Sequence, residues 1–225
     1  MPISAPDGRL SLVVFDCDGT LVDSQHAILA CMRDAFTTHG CAAPEDERIR
    51  QVIGLSLDEA VARLAAAGDP AEKVTEAYRR AFFDLRSRPD FREPLFPGVA
   101  AALEALDSAG CLLGIATGKA RRGLLATLER HGLGSRFVTL QTADSNPGKP
   151  HPAMLLRAMA ETGADPDRTV LVGDTSFDME MARRAGARAV GVAWGYHDRR
   201  ELEAAGADRI VERCEELADC VLSLL

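Results

Sequence analysis

Lysine is nearly missing from this chain. Of 225 residues, 26 are Lys or Arg, and only Lys73, Lys119 and Lys149 are lysine. Basic charge is in deficit overall: 34 Asp and Glu give a formal net charge of -8 and a pI near 5.2. Nucleic acid is thereby excluded as the main partner, because phosphate-backbone binding shows as a basic surface. A small anionic ligand needs only a local positive site and stays open. The six cysteines, at 17, 31, 41, 111, 214 and 220, contain no C-x-x-C pair, which removes the usual zinc and dithiol patterns. No run reaches the roughly 18 apolar residues of a membrane span, so no membrane association is expected. The opening MPISAPDGRL has neither a basic n-region nor an apolar core, so no signal peptide is read there. A cytoplasmic protein with reduced thiols is the expectation.

What is present is an ordinary globular balance, 47% hydrophobic and 27% charged. Short apolar runs at 10–15, 111–116, 137–140, 169–172 and 189–193 read as strands. Helical patterns fill 99–109, 120–131, 152–162 and 177–185, each followed by a glycine (Gly110, Gly132, Gly163, Gly186) suited to a left-handed C-cap. The strands are almost continuously apolar, as strands buried on both faces are. The alternation predicts an α/β fold, a doubly wound parallel sheet. One region departs from it. From about Ser24 to Arg92 there are helical patterns and no strand, closed by FREPLFPG. The expected organisation is an α/β core of residues 1–22 and 94–225 with an all-helical cap, 23–93, inserted after the first strand.

Ligands of open α/β sheets bind beyond the carboxyl ends of the strands. There the first run ends in Asp16-Cys17-Asp18-Gly19-Thr20, the second in Thr117-Gly118-Lys119, the third leads to Lys149, and the fourth ends in Gly173-Asp174 with Asp178 close behind. Carboxylates, a hydroxyl and a lysine at one edge fit phosphoryl transfer: carboxylate oxygens suit Mg²⁺, and lysine gives a phosphate oxygen a point charge. Residues i and i+2 of an extended strand end face one side. Asp16 and Asp18 are therefore expected to point together, one as nucleophile and one as acid and base, with Cys17 turned away to pack. A calcium loop is disfavoured because Thr20 and Leu21 stand where it needs an acidic or amide residue and glycine. A P-loop would need one more residue and a final Ser or Thr after Gly118-Lys119. His151, Trp194, Tyr196 and His197 are read as loop or packing residues, Asp23 as structural, and the arginines Arg33, Arg63 and Arg79 as solvated helix charges.

The strings DCDGTLVDS, ATGK, GKPHP and GDTSFD, in this order, resemble the haloacid dehalogenase superfamily, and more closely its phosphoglycolate phosphatase-like members. The resemblance extends to the helical insert, the FPGV return and the VGVAWG run. It implies Asp16 as nucleophile and Asp18 as acid/base. It implies Mg²⁺ held by Asp16, the Asp18 carbonyl and Asp174, with Asp178 near the metal through water or bonded to Lys149. Thr117 and Lys149 would hold the transferring phosphoryl group, Thr20 would brace the loop, and Thr20, Gly118 and Lys119 complete the substrate-binding set. The implied activity is a Mg-dependent phosphatase acting on a small phosphorylated metabolite, with phosphoglycolate as the single best substrate, through an aspartyl-phosphate. Rivals are a dehalogenase, which would lack Asp18; a sugar-phosphate mutase, which would carry an arginine where Leu57 stands; a phosphonate hydrolase, whose cap lysine could only be Lys73; a pyrophosphatase; and a non-catalytic phosphate-binding module. Nothing in the sequence distinguishes a monomer from a homodimer.

Overall fold

The computed structural model describes residues 9–225; the stretch read as lacking a signal peptide lies largely outside them, at 1–8. In chain order the elements are β1 (Leu12–Phe15), α1 (Gln25–Thr38), α2 (Asp46–Arg50), α3 (Leu57–Leu64), α4 (Ala71–Arg86), α5 (Val99–Ser108) and β2 (Leu112–Thr117). There follow α6 (Arg121–Arg130), β3 (Thr139–Thr142), α7 (Ala153–Thr162), β4 (Thr169–Gly173), α8 (Ser176–Ala185), β5 (Arg188–Val192), α9 (Arg199–Ala205), β6 (Arg209–Val211) and α10 (Leu217–Leu222). All strand pairs are parallel, in the order β3-β2-β1-β4-β5-β6. The order reverses at β1, so the crevice beside its carboxyl end is a topological switch point. No helix is long and apolar enough to cross a membrane among the described residues.

The doubly wound sheet follows from what β1 carries. Its Val13 and Phe15 belong to one core with Leu103 of α5, Leu124 of α6 and Val221 of α10. Leu12 and Val14 face the other core with Met154 and Leu155 of α7 and Met179 of α8. A strand apolar on both faces must be covered on both. Alternation continues past the strand: Cys17 joins the first core, and Asp16 is left on the opposite side at the sheet's edge. Gly163 and Gly186 end α7 and α8 with φ of 76° and 74°, the left-handed conformation expected of them.

Two strands differ from the sequence expectation. The third starts later, at Thr139, and runs through the polar Gln141 and Thr142, which pair with Ala116 and Thr117. Gln141 Nε2 donates to Thr139 Oγ1 and to Glu161, so polar side chains are accommodated on this edge strand. The last strand, Arg209–Val211, is too short and too charged to show as an apolar run.

Helices α1–α4 have their own apolar cluster, including Met32, Phe36, Ile49, Val61 and Val74. The chain leaves and re-enters the sheet region at one place: Val22 bridges Leu95 in antiparallel fashion, Asp23 N–H donates to the Pro94 carbonyl at 2.8 Å, and Phe96 N–H to the Leu21 carbonyl at 3.0 Å.

Leu103, 1% exposed between α5 and the sheet, belongs to the first core. Leu103→Ala is expected to cost about 2–5 kcal/mol. Urea unfolding should show a lower midpoint with an unchanged slope, and a loss below about 1 kcal/mol would contradict this packing.

Candidate active site

The strand ends bring most of the singled-out residues into one buried cluster. Asp16, Asp174 and Asp178 each offer a carboxylate oxygen within 4.8 Å of the others. Lys149 Nζ sits between two of them, 2.8 Å from Asp16 Oδ1 and 2.6 Å from Asp178 Oδ1. All four side chains are essentially inaccessible to solvent. Three carboxylates against one ammonium leave two negative charges uncompensated if all are ionised.

Local sequence explains each position. Asp16 follows the last residue of β1, its N–H bonded to the Val172 carbonyl of β4 at 2.9 Å. Gly19 then turns the chain with φ of 88°, and a β-carbon there would lie 2.2 Å from Asp174 Oδ2. Asp174 accepts from Thr20 Oγ1 at 2.8 Å and from Tyr196 N–H at 3.0 Å. Thr20 therefore braces the loop rather than facing the cavity. Asp178 is the third residue of α8, and its Oδ2 accepts from the Thr175 hydroxyl at 2.6 Å and the Thr175 N–H at 3.2 Å in a capping box. This fixes Asp178 with its other oxygen on Lys149. Of the two arrangements left open by the sequence, bonding to Lys149 is present.

The electrostatics register the missing positive charge. Burial pushes Asp16 up to about 7; Lys149 opposes this, while Asp178 and Asp18 add to it. Asp174 is raised well above the carboxylate range, first by burial, then by Asp16 and Asp178. Lys149 is raised by the same two neighbours, Asp16 and Asp178, against the burial that opposes them, and stays charged. Asp16 Oδ2 is buried without any hydrogen-bond donor. An orphaned carboxylate oxygen, an all-oxygen donor set and a deficit of two charges fit a hard divalent cation such as Mg²⁺.

Asp18 has its own set of partners. Its Oδ1 accepts from Ser24 Oγ at 2.5 Å and lies 2.9 Å from Lys119 Nζ. Lys119 also contacts Glu93 Oε1 at 2.9 Å, and Glu93, fully buried, accepts from Thr127 Oγ1 at 2.8 Å and meets Arg86 at 3.5 Å. Thr117 ends β2 with its Oγ1 accepting from Lys119 N–H at 3.2 Å, which leaves its proton for a ligand. Gly118 is a point of contact with the helical insert: a β-carbon there would lie 2.3 Å from the Leu55 carbonyl oxygen. Asp16, Asp18, Thr117, Gly118 and Lys119 border a cavity of about 530 Å³ that continues between α1, α2 and α4. Sequence reading missed Ser24, Glu93 and the bracing role of the 194–196 segment, where Trp194 Nε1 donates to the Thr20 carbonyl and the Tyr196 hydroxyl lies 3.3 Å from Ser24 N. Their partners are distant in sequence, so no spacing announces them; Glu93 carried one signal, a lone acid inside the Pro-rich return.

Comparison with known proteins agrees with this geometry. A family model described as haloacid dehalogenase-like hydrolase matches residues 13–192. The probable phosphatase IndB of Dickeya dadantii is 38% identical over 218 residues, covering 95% of this chain and 94% of that protein. A phosphoglycolate phosphatase of Synechococcus elongatus is 31% identical, covering 96% and 99%. The crystal structure of a hydrolase from Pseudomonas syringae superposes with a TM-score of 0.84 at 29% identity, covering 95% and 98%. The chain belongs to the haloacid dehalogenase-like hydrolase family, as its four motifs led one to expect.

Two outcomes are expected. Lys119→Met leaves Glu93 buried against a single distant arginine and should destabilise the protein by about 3–5 kcal/mol; calorimetry showing no change would contradict the buried contact. For Asp16, the folded value of about 7 exceeds the ordinary 3.8, so the folded state holds an extra proton between them. The stability this proton contributes is complete below 3.8 and lost as pH rises through 7. In chelator, Asp16→Asn should therefore gain on wild type between pH 5 and pH 8 in thermal unfolding, and an equal difference at both pH values would refute the assignment.

Proposed function

We propose that this phosphoric monoester hydrolase works through Mg²⁺ and an aspartyl-phosphate on Asp16, with residues 23–93 as a cap over a core of 1–22 and 94–225. The observation that carries the reading is the charge deficit of the Asp16–Asp174–Asp178–Lys149 cluster, which equals the charge of one divalent cation. Asp16, Asp174 and the Asp18 carbonyl, with Asp178 beside them, would hold the Mg²⁺, which would supply neutralising charge.

The remaining chemistry belongs to side chains. Asp16 attacks phosphorus, forming its Oδ–P bond as the ester P–O bond breaks, and Asp18 gives its proton to the departing alkoxide. Asp18 then takes a proton from water as that water attacks phosphorus, which releases inorganic phosphate and restores Asp16. Lys149 and the Thr117 hydroxyl stabilise charge on the transferring group, and most of the acceleration comes from such fixed charge and positioning. Closure of the cap excludes bulk water, so the covalent intermediate meets a positioned water.

Support against the rivals comes from particular residues. Asp18, which a dehalogenase would lack, stands beside Asp16 held by Ser24 and Lys119. Ser56 caps α3 and is followed by Leu57, with no arginine there for a sugar phosphate. Lys73, the cap lysine a phosphonate hydrolase would use, is exposed on α4. Phosphoglycolate has its support in the relative named for that activity.

With Mg²⁺, p-nitrophenyl phosphate should be hydrolysed, and EDTA should stop the reaction. Asp16→Asn should remove turnover by several orders of magnitude while circular dichroism stays unchanged. Asp18→Asn should impair alkyl phosphates more than nitrophenyl phosphate, whose leaving group needs no proton. Near wild-type rates in Asp16→Asn would refute the nucleophile.

A further inference from the structure

The cavity above Asp16 is built for hydrocarbon. Its floor is Asp16, Asp18 and Thr117; its walls are Ile28, Met32, Val52, Ile53, Tyr78 and Phe82 from the helical insert. The aliphatic wall residues are themselves members of the insert's apolar cluster, and the cavity opens outward past the exposed Asp58, Arg79, Phe83 and Arg122. At about 530 Å³ it falls within the 300–1,000 Å³ range that accommodates drug-sized ligands. A two-carbon acid would fill only a small part of this volume.

Most of the charges bordering it are paired. Lys119 pairs with Asp18 and Glu93, Arg86 with Glu93, and Arg79 with Asp58. Arg86 also lies over the Phe82 and Phe91 rings. Arg122, on the exposed N-terminal turn of α6, stacks 4.5 Å from the centroid of the exposed Phe83 ring. A second anionic group on the substrate would have to displace a carboxylate from Lys119, and the cationic N–H without a partner in the buried lining is Arg86 Nε. The Tyr78 hydroxyl makes no hydrogen bond within the described residues, and burial keeps it protonated, so it is a polar point on the wall beside the apolar side chains.

We propose that the substrate is a phosphate monoester of a bulky, predominantly apolar alcohol, whose hydrocarbon body fills the hollow between α1, α2 and α4 while its phosphate sits at Asp16. The proposal rests on the phosphatase reading above. It assigns specificity to Ile28, Met32, Val52, Ile53 and Phe82 acting through area removed from water.

The test is a chain-length series with one leaving-group chemistry: ethyl, butyl and hexyl phosphate, beside phosphoglycolate and p-nitrophenyl phosphate, all with Mg²⁺. At about 0.8 kcal/mol per buried methylene, kcat/KM should rise roughly a hundredfold or more from ethyl to hexyl phosphate. Phosphoglycolate should fall near the ethyl ester. Ile53→Asn should flatten the series; the hexyl-to-ethyl ratio does not depend on how much of the sample is folded. In calorimetry, hexylphosphonate, which resists hydrolysis, should bind with a more negative heat-capacity change than methylphosphonate. A flat or falling series with p-nitrophenyl phosphate still turned over, phosphoglycolate exceeding the hexyl ester, or a ratio untouched by Ile53→Asn overturns the apolar assignment alone. No Mg²⁺-dependent turnover of any ester overturns the phosphatase reading and this proposal with it.

Discussion

Unbalanced negative charge held out of water is the constraint on which this molecule turns. Three carboxylates with one ammonium among them are costly in a folded interior, and the cost is visible as proton affinities driven upward at Asp16 and Asp174. Every neighbour serves to keep the acids in place in spite of it. The Thr20 hydroxyl and the Tyr196 amide hold Asp174, the α8 cap holds Asp178, and Lys149 spans Asp178 and Asp16. The surrounding sheet supplies the rigidity: β1 is hydrogen-bonded on both sides and apolar on both faces, so its end cannot move to relieve the repulsion. A bound proton or a divalent cation would relieve the repulsion, and the whole sheet holds the acids where either would act.

The second charged system has the opposite character. Asp18, Lys119, Glu93 and Arg86 form a balanced chain of two acids and two bases, reaching from the reactive cluster to the return segment after α4. It orients Asp18 without adding net charge. It also ties Lys119 and one end of Arg86 to acids beside the cavity.

The sheet and the reactive cluster were legible in the sequence because each is encoded by neighbours. Apolar runs ending in Asp16-x-Asp18, Thr117-Gly118 and Gly173-Asp174 state both the strand and what stands at its end. Where side chains meet only in space, the code was silent. Glu93 reads as a stray acid until Lys119 and Thr127 are found around it, and Gly118 reads as part of a phosphate loop until the Leu55 carbonyl is seen against it. Strand β3 was displaced in the reading because Gln141 and Thr142 look like loop residues; backbone pairing with β2 outweighs their polarity. The short helix α2 and strand β6 were not read at all, since five and three residues are too few to establish a period.

The paired crossings at Val22–Leu95 and Asp23–Pro94 make the helical excursion a closed detour. Its two ends are clamped together by backbone bonds, so the sheet on either side is indifferent to what lies between. Closing a loop costs free energy that grows only with the logarithm of its length, about 0.6 kcal/mol for each doubling. The detour can therefore lengthen, shorten or exchange its lining across evolutionary time while the acid cluster beneath keeps its geometry, and one hydrolytic engine can be fitted to many alcohols.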